Sequence, residues 1–202
     1  MLIVIYDTET TGLVRGTDYT DPNMPFLASI AAVLYDDKAH RIVASINSMV
    51  QPDGWTMPEE AGKVNGLTNE VLQQLGVPAP ALLPTCIALM FKANLRVAHN
   101  IDFDSKVIAA ALWRHIIKED SEETAHETVK AWLALPSYCT MQKSKSIVNA
   151  LDKRGKIKYP KLNEAYKFFF DRELDRAHSA NADTVAALEI YLALKKQENN
   201  NV

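Results

Sequence analysis

The feature that most constrains this chain is a continuous apolar run near its start, Leu2-Ile3-Val4-Ile5-Tyr6, which stops on Asp7-Thr8-Glu9. Such an unbroken, largely β-branched run reads as a strand covered on both faces, not as a half-solvated strand. A strand buried on both faces needs a layer of structure on each side of its sheet.

The remaining pattern supplies those layers. Ala28 to Tyr35 is a second apolar run, ended by the turn signal Asp36-Asp37-Lys38, and Arg41 to Val50 reads as a third strand. Residues 14–27, rich in Gly, Asp, Thr and Pro, read as a loop. The period then changes. Met57-Pro58-Glu59-Glu60 reads as a helix start. Thr68 is the expected N-cap of a second helix, with Val71, Leu72 and Leu75 as its apolar stripe and Gly76 as its end. Further helices are expected over Leu83 to Ala93, Phe103 to Ile117, Glu122 to Leu133, Leu162 to Phe170 and Ala182 to Lys195. Short strands are expected at Leu95 to Ala98 and Ser137 to Met141. Strands first, then helices interleaved with short strands, predict a single α/β domain with a mixed sheet. The domain is expected over 1–196, with 197–202 a frayed polar tail.

Composition narrows the function classes. Of 202 residues, 48% are hydrophobic and 23% charged, which suits a substantial soluble core. A formal net charge of −3 argues against a nucleic-acid binder held by a global basic field. It argues less against an enzyme whose acidic site is neutralised by cations. Cys86 and Cys139 show no zinc spacing and read as buried reduced thiols. The apolar start is too short for a signal peptide, and no run approaches the ~18 residues of a membrane span. The expectation is a cytoplasmic protein with no membrane association.

Three segments carry the candidate chemistry. Positions two apart on a strand project to one face, so Asp7 and Glu9 present their carboxylates together. Carboxylates that close repel and desolvate each other. Mg²⁺ or Mn²⁺, which prefers oxygen ligands, relieves this. Thr10-Thr11-Gly12 follows, with hydroxyls, N–H groups and a glycine that allow a phosphate to approach closely. Taken alone, this segment also fits an acidic strand-end turn. In His99-Asn100-Ile101-Asp102-Phe103-Asp104 a strand hands over to a helix that Asn100 could cap. Asp104 is preferred to Asp102 as a ligand, because Phe103 must pack while Asp104 faces the strand ends. In the third segment, His178 precedes Asp183 on the last helix. A histidine titrating near neutrality can take a proton from water. Four carboxylates and a histidine fit a two-metal phosphodiesterase site, with ions ~3.5–4 Å apart. One ion would activate the attacking water and the other would stabilise the leaving 3′ oxygen.

In this order, DTETTG, HNxxFD and HxxxxD resemble the three motifs of the DEDDh branch of the DnaQ-like 3′–5′ exonucleases. The resemblance runs from Ile3 to about Leu194 and includes Met57-Pro58-Glu59-Glu60-Ala61 with Gly66-Leu67-Thr68, then Tyr138-Cys139-Thr140-Met141, then Pro160-Lys161-Leu162-Asn163-Glu164. It implies a ribonuclease-H-like mixed five-stranded sheet flanked by helices. It implies metal-binding acids at Asp7, Glu9, Asp104 and Asp183, two Mg²⁺ ions that Mn²⁺ could replace, and His178 as general base. It implies release of 5′-mononucleotides from the 3′ end of a nucleic acid, preferably single-stranded DNA. Thr10, Thr11, Gly12 and Leu13 would line the terminal nucleotide, with Leu13 against its base, and Asn100 would contact substrate or the groups behind it. With no polymerase domain on the chain, a proofreading role would need a polymerase or other replication or repair partner. The alternatives are a 3′–5′ exoribonuclease, or a silent module that binds nucleic acid or a partner on the same fold. Oligomeric state is not legible.

Two departures stand out. Asn65 occupies a position where the family often has histidine, and the loop from Val14 to Phe26 is longer than the common form. That loop either shapes access or is an inert excursion. Trp55, Trp113, Trp132 and Phe168-Phe169-Phe170 read as core rather than base-stacking residues, and His115 and His126 as surface residues. Lys143, Lys145, Lys153, Arg154, Lys156, Lys158 and Lys161 form the one basic concentration, which fits a backbone track and a solvated face equally well.

Overall fold

In the computed structural model, which describes residues 1–174 and 179–200, β1 (Leu2–Thr10) lies at the centre of a five-stranded sheet of order β3-β2-β1-β4-β5. β2 (Leu27–Asp36) pairs antiparallel with β1 and with β3 (Arg41–Met49). On the other side β4 (Leu95–Ala98) runs parallel to β1, and β5 (Ser137–Cys139) runs parallel to β4. This is the mixed five-stranded sheet that the resemblance implies.

The alternation of β1 divides the interior into two cores. Val4 and Tyr6 face one core with Ile30, Ala32 and Leu34 of β2, closed by α3 (Ala79–Met90), α4 (Ile101–Glu119) and α5 (Glu122–Ala134). Ile3 and Ile5 face the other core with Val33 and Tyr35, closed by α7 (Leu162–Phe170) and α8 (Ala180–Asn200). A smaller cluster of Ala28, Met57, Leu67 and Leu72 seats α1 (Glu59–Asn65) and α2 (Asn69–Leu75) beside β2.

Several elements differ from their expected form. Thr68 caps α2 as expected, accepting from the Val71 N–H at 3.2 Å. Of the expected stripe only Leu72 is buried, and Leu75 is 62% exposed, because a helix of two turns touches its core at one point. α3 begins at Ala79, ahead of Leu83. Pro80 sits in its first turn, where a missing N–H costs nothing, and Pro84 forgoes one bond inside it. The last strand stops at Cys139, and α6 (Thr140–Val148) follows directly. The sequence hides α6 because it buries Thr140 and Ser144, and Ser144 satisfies its hydroxyl on the Thr140 carbonyl at 2.7 Å. α8 runs on to Asn200 instead of fraying at 197, because the Tyr138 hydroxyl donates to Glu198 at 2.8 Å. Trp132 is core as expected, Trp55 and Trp113 are partly buried, and Phe168 is 51% exposed against expectation. Cys86 and Cys139 are buried free thiols, and burial pushes Cys86 up to about 11. Among the described residues no helix is long and apolar enough to cross a membrane.

A buried arginine ties β4 to its surroundings. Arg96 is 4% exposed. Its guanidinium donates to the Leu133 and Leu135 carbonyls and to Ser105 Oγ, each at 3.0 Å, and lies 4.6 Å over the Trp132 ring. Ser105 Oγ also bonds the Tyr6 hydroxyl at 2.8 Å. Carbonyls left unpaired in such a place each cost about 1–3 kcal/mol. Arg96→Met should therefore lower the unfolding free energy by about 3 kcal/mol, read as a urea-midpoint shift at constant slope. Arg96→Lys should recover little of it, since one ammonium cannot span these acceptors. A loss near zero would show that this network contributes nothing to stability.

Candidate active site

β1 carries its acids on the face that α8 covers. Ile3, Ile5, Asp7 and Glu9 share that face by alternation, and α8 brings Asp183 to it. One carboxylate oxygen from each of Asp7, Glu9 and Asp183 lies within 4.8 Å of the other two. Thr184, beside Asp183, pins this turn of α8 to β2 by donating to the Ala31 carbonyl at 3.2 Å.

Asp104 arrives from the opposite layer. β1 pairs with β4 only from Ile3 to Ile5. At Asn100 the chain leaves β4 through a left-handed residue, φ 75°, and turns into α4. The first turn of α4 then takes over the open edge of β1. Asp104 Oδ1 accepts the Thr8 N–H at 3.0 Å and the Thr8 hydroxyl at 2.7 Å. Thr8 lies on the α4 face, between Asp7 and Glu9 on the other, so it fixes Asp104 relative to both. Asp102 is exposed, and Asp104 is 3% exposed, as the position of Phe103 suggested. Asn100 stands at the N-cap position, but its side chain makes no cap bond, because the left-handed backbone directs the turn instead.

The electrostatics follow from this crowding. Burial, then the charges of Asp104, Asp183 and Glu9, raise the Asp7 carboxyl well above the usual range. Burial, then Asp183 and Asp104, push Glu9 up to about 8. Burial raises Asp104 to about 7 despite the bonds from Thr8, which favour its charged form. At neutral pH such a cluster holds either protons or cations. Its all-oxygen donor set suits a hard divalent cation.

The expected substrate residues follow the cluster. The Thr10 hydroxyl donates to the Gly12 carbonyl at 2.6 Å, closing a tight turn. Thr11 fastens the base of the loop: its N–H donates to the Phe26 carbonyl at 3.1 Å, and its hydroxyl accepts the Phe26 N–H at 2.8 Å. Gly12 faces open space, and Leu13 is 78% exposed. His178 lies outside the described residues. Residues 14–26 are packed rather than loose. Tyr19 bonds His126 at 2.7 Å, Arg114 donates to the Pro25 carbonyl at 3.0 Å, and Phe26 stacks on Trp55 with ring centroids 5.6 Å apart. His115 is partly buried and His126 is exposed.

Three contributors were not foreseen. Thr8, to which the sequence assigns no role, holds Asp104 through its N–H and its hydroxyl. Asn65 donates to the Thr10 carbonyl at 3.2 Å and accepts the Leu67 N–H at 3.0 Å, so it braces the end of β1. His99 sits behind Asn100, bonded to the Pro160 carbonyl and to Thr140 Oγ1, each at 3.0 Å. A carbonyl only accepts, so Nε2 carries the proton and Nδ1 accepts from Thr140. Burial lowers His99 to about 4, which keeps it neutral. Only the alternation of β1 could have flagged Thr8; the other two depend on distant segments.

A family model described as exonuclease, RNase_T, matches residues 4–191. Solved structures share the fold. The complex of Escherichia coli exonuclease I with a dA16 oligonucleotide is 17% identical with a TM-score of 0.75, covering 98% of this chain and 42% of that one. A moderately thermophilic exonuclease I from Methylocaldum szegediense is 18% identical with a TM-score of 0.73, covering 98% and 41%. The zinc-bound E. coli exonuclease I–ssDNA complex is 16% identical with a TM-score of 0.70, covering 98% and 41%. The chain thus spans about two fifths of the length of these structures. Comparison with curated proteins returned no match.

The raised carboxyls set a direction for stability. The folded state keeps protons on Glu9 and Asp104 that an unfolded chain, titrating near 4, has released. Stability of the metal-free protein should therefore fall as pH rises from about 5 to about 8. Glu9→Gln should flatten that fall and raise the melting temperature at pH 8 by a few degrees. Mg²⁺ or Mn²⁺ should raise it more at pH 8 than at pH 5. Thermal melts across this range check all three, and a pH-independent melting temperature would contradict the electrostatic reading.

Proposed function

Since the chain belongs to this exonuclease family, we propose that it is a 3′–5′ exonuclease that removes 5′-mononucleotides from single-stranded nucleic acid, preferably DNA. The observation that carries this reading is the three carboxylates within 4.8 Å, drawn from β1 and α8. Asp7, Glu9, Asp104 and Asp183 would hold two Mg²⁺ ions, and Mn²⁺ could replace them. When bound, such ions lower the pKa of the attacking water and offset charge on the leaving 3′ oxygen.

The chain's own groups do the rest. Asp7 and Glu9 are held on a strand paired with β2 on one side and fastened through the Thr8 N–H to Asp104 on the other, so their positions are set before substrate arrives. Thr8 keeps Asp104 turned toward them. The turn at Thr10 to Gly12 leaves room for a phosphate, and exposed Leu13 offers an apolar contact to the terminal base. The resemblance alone assigns His178 the proton of the attacking water. The preference for a single strand draws support from the E. coli exonuclease I complex with a dA16 oligonucleotide. Residues 1–196 are taken as the exonuclease unit.

The test is digestion of 5′-labelled DNA and RNA oligonucleotides, single-stranded and duplex, with Mg²⁺ or Mn²⁺. The expected result is a ladder of shortened, still-labelled products, fastest from single-stranded DNA. Asp7→Ala should lose activity by more than ~100-fold, beyond the usual cost of an outer-shell change, without unfolding. Faster trimming of RNA would make the chain an exoribonuclease. Intact substrate with both metals would leave a silent binding module.

A further inference from the structure

The basic segment between α6 and α7 has a definite shape. Leu151 and Ile157 form an antiparallel bridge, and the Lys158 N–H donates to the Ala150 carbonyl at 2.8 Å. Residues 150–158 therefore make a tight hairpin. Asp152 is the one acid between Lys143 and Lys161. Its carboxylate is turned into the hairpin, accepting the N–H groups of Arg154 at 2.8 Å and Lys156 at 2.9 Å. Gly155, at φ 75°, completes the turn.

The cations are left outside. Lys153, Arg154 and Lys156 are exposed, and none forms an ion pair among the described residues, whereas Lys158 is paired with Glu164 at 2.5 Å. Apolar surface stands beside them: Leu151 is 59%, Ile157 54% and Tyr159 49% exposed. Lys145 Nζ lies 4.4 Å over the Tyr159 ring. Cations interleaved with an available aromatic face suit a single-stranded nucleic acid, whose phosphates and bases need both.

The hairpin is rooted at the candidate active site. Pro160, at its base, accepts the His99 N–H at 3.0 Å, and His99 adjoins the Asn100 turn into α4. β1, β4 and β5 are parallel neighbours, so their C-terminal ends share one edge of the sheet, with β5 about 10 Å from β1. Thr140, where β5 gives way to α6, bonds His99. A strand whose 3′ end reaches Asp7 and Glu9 can thus pass toward the hairpin.

We propose that the hairpin at residues 150–158 is a docking surface for the single strand behind its 3′ end, with Lys153, Arg154 and Lys156 on phosphates and Tyr159 stacked on a base. The proposal rests on the exonuclease reading for its substrate class, and its test does not depend on cleavage. The probe is a fluorescent oligothymidylate of roughly 16 nucleotides, protected by phosphorothioate linkages, titrated with the full chain and Mg²⁺ and followed by anisotropy. K153Q/R154Q/K156Q should raise Kd by roughly 10-fold or more and lower the salt slope by about 2, from ~0.7 per phosphate contact. Tyr159→Ala should raise Kd roughly 5-fold and leave the salt slope unchanged. Lys38, Arg41 and Lys92 lie at the opposite edge of the sheet, where Asp36 pairs with Leu2 and with Arg41 and the Asn94 N–H donates to the Leu2 carbonyl, and replacing these three with Gln removes the same charge. That control should bind as the wild type does.

Equal Kd and slope for the hairpin variant and the wild type would overturn the proposal, as would an equal loss in the opposite-edge control. Failure of the wild type to bind the probe would do the same. Hairpin-dependent binding without cleavage of ordinary oligonucleotides would support the docking surface and sink the exonuclease reading. Cleavage without hairpin dependence would do the reverse.

Discussion

The two-residue alternation of β1 is the constraint on which the site depends. Odd positions from Ile3 to Glu9 face α8 and even positions from Val4 to Thr8 face α4. The two acids on the odd face meet Asp183, and Thr8 on the even face meets Asp104. A slip of one residue would send Asp7 and Glu9 into the α4 layer and leave Asp183 facing a threonine. The apolar residues prevent that slip. Ile3, Val4, Ile5 and Tyr6 are fully buried, and each face needs its own set. The register of the acids is therefore held by the burial of residues that carry no chemistry.

Bringing these carboxylates together opposes folding, and the packing on both faces of β1 meets that opposition. No lysine or arginine pairs with Asp7, Glu9 or Asp104 among the described residues. The nearby buried cation, Arg96, spends its donors on carbonyls and Ser105. It holds β4 and α4 together behind the site, and none of its donors goes to Asp7, Glu9 or Asp104. Thr8 orients Asp104 with neutral donors, which direct the carboxylate without cancelling its charge.

Much of this was legible in the sequence, and the limits have physical causes. The covered strand and the shared face of Asp7 and Glu9 follow from periodicity, and the structure shows both; it also buries Asp104 and leaves Asp102 exposed. α6 escaped notice because its buried residues are hydroxyls that satisfy themselves locally, so the segment has no apolar stripe. The left-handed Asn100 escaped because its backbone is set by the handover from β4 to α4, while its side chain alone suggests a cap. Asn65 and His99 act across 55 and 61 residues of chain, on Thr10 and Pro160. No local pattern encodes such pairings. The resemblance drew attention to Asn65 as a departure from a histidine but could not say that it braces the end of β1.

The net charge of −3 conceals a separation of charge that bears on how a strand would engage. The acid cluster repels phosphate until its charge is neutralised, whereas the hairpin's free cations attract phosphate whether or not divalent ions are present. The two halves of the proposed path thus depend on divalent ions in opposite degrees. On the proposed path, the chain without those ions would hold a strand by its body and exclude its end, and with them the same strand would enter at its 3′ terminus. Because the turn of the hairpin is closed by Asp152 and by backbone bonds, little backbone freedom has to be lost when phosphates arrive there. A fixed basic surface set apart from a repulsive acidic one would therefore separate holding the strand from admitting its end, and only the second step would wait on the metal.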